Sequence, residues 1–201
     1  MQIILASASP RRIEIMENFE IPCTVMPSNI ENSLILSSTV NINTMVSAYM
    51  KANSIFEQCK DDSDIDENDI VVIGADTVVS IGEYQLGKPK DKNDSFKMLK
   101  LLSGKMHNVT TGFAIISSNT KYVDFVSTSV TFKNLTDEMI MDYIYTGEGD
   151  DKAGSYAIQG KGSILVKEIT GDFLNVVGLP ISRIFDVLKE KLNIDLLNCG
   201  E

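Results

Sequence analysis

At 201 residues, 43% hydrophobic and 23% charged, the chain is long enough for one good core or for two small lobes sharing a sheet, and its bulk is not disordered. A formal net charge of -10 argues against an extended nucleic-acid partner, because a polyanion would be repelled unless a local basic patch overrode the field. Cys23, Cys59 and Cys199 are too few and too scattered for a disulfide framework or a cysteine zinc site. No signal-like leader and no run of roughly 18 apolar residues is visible, so the expectation is a cytoplasmic protein.

Short apolar runs alternate with helical patterns along the chain, the mark of an α/β architecture. A strand is predicted over 2–6, from Ile3-Ile4-Leu5, followed by a helix whose N-cap is Ser9 and whose first residue is Pro10. Arg11 and Arg12 then fall in the first turn, where the helix dipole disfavours each cation by about 0.3–1 kcal/mol. A bound anion reverses that sign, and Ser7, Ser9, two guanidinium forks and helix-start N–H groups together describe a phosphate site. A pair of solvated surface arginines describes the same residues, and the segment alone does not separate the two.

A second strand is predicted over 21–26. Over 38–60, Ile42, Met45, Val46, Tyr49, Ala52 and Phe56 recur at helical spacing and predict an amphipathic helix. The acidic run 61–69 resembles a calcium loop at Asp62, Asp64 and Asp66, but Glu67 takes the turn-glycine position and Ile73 that of the closing glutamate. It reads as a solvated linker. Ile70-Val71-Val72-Ile73 predicts a buried strand ending in Gly74-Ala75-Asp76-Thr77. Asp76 stands where ligands bind in open α/β sheets, at the carboxyl end of a strand, and its small neighbours allow close approach. A capping or turn aspartate is the alternative, weakened by the extended pair Val78-Val79 that follows.

Gly82 to Lys88 resembles a P-loop until Pro89, which supplies neither the hydroxyl nor the helix start that magnesium and phosphate require there; Lys88 on a loop can still meet phosphate. A helix over 91–102 closes at Ser103-Gly104, and 108–117 with 121–132 predicts a hairpin turning at Asn119. His107 is the only histidine, so neither a catalytic triad nor a multi-histidine metal site is supported, and it reads as an ordinary strand residue. A helix over 136–145 precedes the glycine-rich stretch 151–162, in which Gln159 offers donors and an acceptor suited to a base edge or, equally, to its own backbone. A strand pair near 164–166 and 173–177 and a helix over 180–192 complete the chain.

The segments Leu5-Ala6-Ser7-Ala8-Ser9-Pro10-Arg11-Arg12, Lys51-Ala52, Gly74-Ala75-Asp76-Thr77, Gly87-Lys88-Pro89, Leu102-Ser103-Gly104, Asp151-Lys152-Ala153-Gly154, Ile158-Gln159-Gly160 and Val177-Gly178-Leu179-Pro180 occur together and in order. In this the chain resembles the Maf family of nucleoside triphosphate pyrophosphatases. The resemblance implies one domain over 1–201 with a two-lobed α/β fold like that of the inosine triphosphatases, a central mixed sheet flanked by helices, and a cleft between the lobes. It implies hydrolysis of a nucleoside triphosphate to the monophosphate and pyrophosphate with a divalent cation, magnesium or else manganese or cobalt.

By the same resemblance, Ser7, Arg11, Arg12, Lys51 and Lys88 line the phosphate path. Asp76 is the proton acceptor, and Asp76 with Glu31 holds the metal. Arg11, Thr77 and Gln159 match positions tied to base choice, and Ile-Gln-Gly resembles the branch acting on dTTP and UTP. The chain departs from the family at Asn32, where a second acid often follows Glu31, and at Gly149, where a proline is usual. The expected protein is thus a pyrimidine nucleoside triphosphate pyrophosphatase, with a link to septum formation and a homodimer left open by the resemblance. A nucleotide-sensing binding protein with weak turnover and a purine enzyme acting on inosine or xanthosine triphosphate are the alternatives.

Overall fold

A computed structural model describes residues 1–30 and 39–197. Strands and helices alternate as β1 (Gln2–Leu5), α1 (Pro10–Asn18), β2 (Cys23–Val25), α2 (Val40–Lys60), β3 (Ile70–Ile81), β4 (Tyr84–Leu86), α3 (Lys92–Leu102), β5 (Met106–Ile116), β6 (Lys121–Phe132), α4 (Asp137–Tyr145), β7 (Val166–Thr170), α5 (Phe173–Val177) and α6 (Ile181–Leu192). The strands form a seven-stranded sheet in the order β2-β1-β3-β5-β6-β7, with β4 on β3. The mixed α/β class expected from the alternating pattern is the one observed. The chain divides into two compact units, the first comprising Met1–Asp76, Thr111–Val126 and the described residues from Gly178 on, the second Thr77–Thr110 and Ser127–Val177.

In the first unit β1 lies parallel to both β2 and β3, with Ile3 opposite Cys23 and Leu5 opposite Ile73. Ile4, Ala6, Ile70, Val72, Ala114 and Ile116 pack in one buried cluster with Ala48, Ala52, Ile55, Phe56 and Cys59 of α2. The alternate set Ile3, Leu5, Val71 and Ile73 is equally buried, as expected for parallel strands covered on both faces.

The face that α2 buries differs from the one its large residues predict. Ile42 is exposed and Met45, Val46 and Tyr49 are only half-buried, while Thr44, Ala48 and Ala52 are wholly buried. The reason is proximity: a Cβ built on Gly74 would lie 2.5 Å from the Ala48 carbonyl oxygen, and one on Gly112 2.3 Å from the Thr44 carbonyl carbon. At these two points the helix backbone rests almost on the strands and only small side chains fit beneath it, while Ile55 and Phe56 fill the core farther along the helix.

In the second unit, β3 runs on from Thr77 to Ile81, turns at Gly82, and pairs antiparallel with β4. The strand is therefore longer than its first apolar run suggests, and Asp76 sits within it rather than at its end. β6 pairs antiparallel with β7, with an irregularity between Thr131 and Phe132. The helices expected over 91–102 and 136–145 are present, each with a side-chain cap: Asp91 accepts from the Asp94 N–H of α3, and Thr136 from the Met139 N–H of α4. The expected strand over 173–177 is instead a helix, α5. Gly171 at φ 125 ends β7, and the Asp172 carboxylate accepts from the N–H groups of Leu174 and Asn175, a cap that outweighs the apolar pattern. Residues 160–165 form a 3-10 turn, so β7 starts only at Val166.

His107 lies on β5, 2% exposed, with its Nε2 2.8 Å from the Tyr156 hydroxyl and its ring edge-on to Phe132. Burial pulls its pKa down to about 4, against an opposing hydrogen bond to the Lys105 backbone. Because the folded state keeps the imidazole neutral while the unfolded chain titrates near 6.5, its contribution to stability is complete above pH 6.5 and falls as the pH drops to about 4. Urea unfolding at pH 7, 5 and 4 should show a loss on the order of 3 kcal/mol that a His107→Phe variant lacks. A parallel pH dependence in that variant would assign the loss to other groups.

Candidate active site

In the first unit, β1 hands over to α1 through Ala6, whose N–H donates to the Ile73 carbonyl at 2.8 Å, and through Ser7. Ser9 begins the helix and Pro10 occupies its first turn, as expected, but the Ser9 side chain makes no cap. Ser7 takes the organising role. Its Oγ accepts from the Ser9 N–H at 3.2 Å and from Arg12 Nη1 at 3.1 Å, leaving the hydroxyl proton to donate elsewhere. Arg12, 9% exposed, also donates through Nε to the Gly178 carbonyl at 2.7 Å.

The Arg12 side chain is not a solvated surface cation. Burial lowers its pKa to about 10, partly offset by the charge of Asp76 and reinforced by that of Arg11. That corresponds to roughly 3 kcal/mol held against the charged form, yet the guanidinium remains protonated at neutral pH. Arg11, half-buried, adds a second cation in a first turn that contains no acid.

Lys51, on α2, and Asp76, on β3, form an ion pair of 2.8 Å whose side chains are only 13% and 10% exposed. The contact follows from the packing described above. Lys51 adjoins Ala52, which rests on Gly74, and Asp76 lies two residues beyond that glycine. Lys51 thus pairs with the carboxylate of Asp76 and Arg12 feels its charge, with Arg11 near enough to Arg12 to act on it in turn, a cationic cluster in a chain that is acidic overall. Charges partly withdrawn from water act on a neighbouring charge more strongly than the same charges would on the surface.

In the second unit, Thr77 follows Asp76 along β3 and is half-buried. Lys88 is exposed on the loop after β4, whose Gly87 carbonyl accepts from the Gly154 N–H at 3.0 Å. That bond ties the Gly87-Lys88-Pro89 loop to the stretch Asp151-Lys152-Ala153-Gly154. Gln159 is half-buried and immediately precedes the 3-10 turn Gly160–Leu165. Ser7, Arg11, Arg12, Lys51 and Asp76 are accordingly brought together in one unit, with Thr77, Lys88 and Gln159 in the other. Glu31 and Asn32 lie outside the described residues.

The Gly178 carbonyl was invisible to residue-type reasoning, which follows side chains. Its signal is the glycine itself: φ of 126 at Gly178 is open to glycine and aims the carbonyl at Arg12. Among the described residues no group of three or more His, Cys, Asp or Glu side chains gathers. A lone carboxylate does not make a calcium or zinc cage, but it suits magnesium, which takes one or two carboxylates and completes its shell with water and substrate phosphate.

Fold and site together define an α/β protein in which cationic side chains gather at the buried carboxylate of Asp76. The family model described as Maf-like protein matches residues 2–191, and the chain belongs to the Maf family. It is 49% identical over 199 residues to a dTTP/UTP pyrophosphatase of Alkaliphilus oremlandii, covering 98% of this chain and 99% of that protein. A dTTP/UTP pyrophosphatase of Thermoanaerobacter sp. (strain X514) is 46% identical over 201 residues, covering 98% of this chain and 100% of that protein. One of Clostridioides difficile (strain 630) is 44% identical over 198 residues, covering 98% of each.

Inorganic tripolyphosphate should raise the melting temperature of the protein. In Arg12→Lys, which cannot keep the bonds to Gly178 and Ser7 and also face an anion, its Kd should weaken by at least about tenfold. An undiminished affinity by calorimetry would remove Arg12 from the phosphate site.

Proposed function

We propose that this chain is a nucleoside triphosphate pyrophosphatase that hydrolyses dTTP and UTP to the monophosphate and pyrophosphate. The observation that carries the reading is the buried Lys51–Asp76 pair beside the buried cation of Arg12. Support comes also from relatives at 44–49% identity that are named for this activity and match the chain over nearly their whole length. Membership of the family extends the reading to Lys88 as a further phosphate contact and to Arg11, Thr77 and Gln159 as residues choosing the base.

Hydrolysis adds water across the α–β anhydride: a new P–O bond forms, the bridging P–O bond breaks, and pyrophosphate leaves. Asp76 takes the proton of the attacking water. Lys51, 2.8 Å from Asp76 Oδ1, fixes the carboxylate and adds positive charge beside the phosphates. Arg12 and Arg11 neutralise the charge that grows on the phosphate oxygens as the leaving group departs, which is the main service phosphoryl chemistry asks of a protein. The Ser7 hydroxyl donates a hydrogen bond to the same oxygens.

A divalent cation, when bound by Asp76 with Glu31, supplies Lewis-acid polarisation of the phosphates. No described helix is long and apolar enough to cross a membrane, and we assign the activity to the cytoplasm, where free nucleotides are found.

Incubation with magnesium and a panel of triphosphates, with detection of released pyrophosphate, should show dTTP and UTP turned over ahead of dCTP, ATP, and inosine and xanthosine triphosphates. Asp76→Asn should lower kcat by about 10²–10⁴ while dTTP still raises its melting temperature. Wild-type protein that is stabilised by dTTP and UTP without releasing pyrophosphate would show a binding protein instead.

A further inference from the structure

We infer that Glu148 is a positioning residue for Gln159, setting base selectivity without touching the nucleotide. The inference rests on the base-choosing role proposed above for Gln159. Glu148 follows α4, and the last turn of that helix is locked: the Thr146 hydroxyl donates to the Tyr143 carbonyl at 2.7 Å and accepts from the Glu148 N–H at 3.2 Å. From there the carboxylate reaches the glycine-rich stretch. Its Oε1 accepts from the Lys161 N–H at 2.9 Å and its Oε2 from the Gly162 N–H at 2.7 Å.

The end of α4 supplies a second acceptor to the same stretch. Tyr143, 5% exposed, accepts the Ala157 N–H on its hydroxyl at 3.0 Å. Ala157 and Lys161 each lie two residues from Gln159, so the amide-bearing residue is held at the centre of a short span pinned at both ends. The two glycines of this span make the contact possible. Gly160 adopts φ 62, and a Cβ there would fall 2.2 Å from Glu148 Oε1; a Cβ on Gly162 would fall 2.9 Å from the Tyr143 hydroxyl.

Backbone N–H groups of a tight turn need acceptors, and a carboxylate that accepts two of them fixes the turn more firmly than neutral partners do. A side-chain amide discriminates between bases only as well as its backbone is placed, because the hydrogen-bond geometry tolerates little displacement. Glu148 and Tyr143 therefore act on the nucleotide through Gln159 and not on the reacting phosphate.

The test is a cycle of Glu148→Gln, which keeps the shape but removes the charge and one acceptor, with Gln159→Ala. The readout is kcat/KM for dTTP divided by that for dCTP. Glu148→Gln should narrow the ratio about tenfold, with the loss in KM for dTTP, as expected for one misplaced hydrogen bond to a base. Gln159→Ala should abolish the preference, and the double variant should match Gln159→Ala. An unchanged ratio in Glu148→Gln, or a double variant well below Gln159→Ala, overturns the inference. An unchanged ratio in Gln159→Ala removes the base-choosing role of Gln159 itself, and the inference with it. Should Glu148→Gln fail to fold, Tyr143→Phe removes a single hydroxyl from the same span and is held to the same outcomes.

Discussion

The close passage of α2 over β3 and β5 is the constraint on which the rest of the first unit depends. At Gly74 and Gly112 the strands leave no room for a Cβ beneath the helix backbone. Helix and sheet therefore meet at main-chain distance there, and the contact is closed by Ala48, Ala52 and Thr44, with Ile55 and Phe56 packing beside it. Cores resist added methyl groups at a cost of about 1–3 kcal/mol, so the separation is stiff. That stiffness serves the ion pair. Lys51 and Asp76 lie next to the contact on either side of it, and their 2.8 Å separation is inherited from the packing.

Electrostatics then explains why such an arrangement persists. Buried cations destabilise a protein unless they are paired, and removing one partner of a buried pair costs about 3–5 kcal/mol because the other charge is left uncompensated. Arg12 donates to two neutral acceptors, Ser7 Oγ and the Gly178 carbonyl, which orient the guanidinium, and the charge of Asp76 favours its charged form. Local positive charge and a net charge of -10 are compatible because the field relevant to a small ligand is set within the site, while the acids elsewhere repel larger polyanions.

Much of this was legible in the sequence, for identifiable reasons. The misplaced pair Arg11-Arg12 and the carboxylate after Gly74-Ala75 stand out in the sequence because their types conflict with their local setting, whereas the caps made by Asp91 and Thr136 come from the structure. Periodicity places Ala52 and Phe56 of α2 on the buried face, as observed, but overrates Ile42, Met45, Val46 and Tyr49, because where a helix lies this close to a sheet it buries its small residues. The helix at Phe173–Val177 was read as a strand because five residues of apolar pattern cannot outvote a carboxylate cap. The Gly178 carbonyl and the Glu148 grip on the Lys161 and Gly162 amides involve main-chain groups, which every residue carries and no motif displays.

The proposed chemistry requires Lys51 and Asp76 to work as one unit. Initial rates of pyrophosphate release from dTTP by Lys51→Met, Asp76→Asn and the double variant test it most directly. If the pair acts together, the double variant is no slower than the slower single variant. If the two losses multiply, each side chain acts independently, and the contact between them has no part in the chemistry.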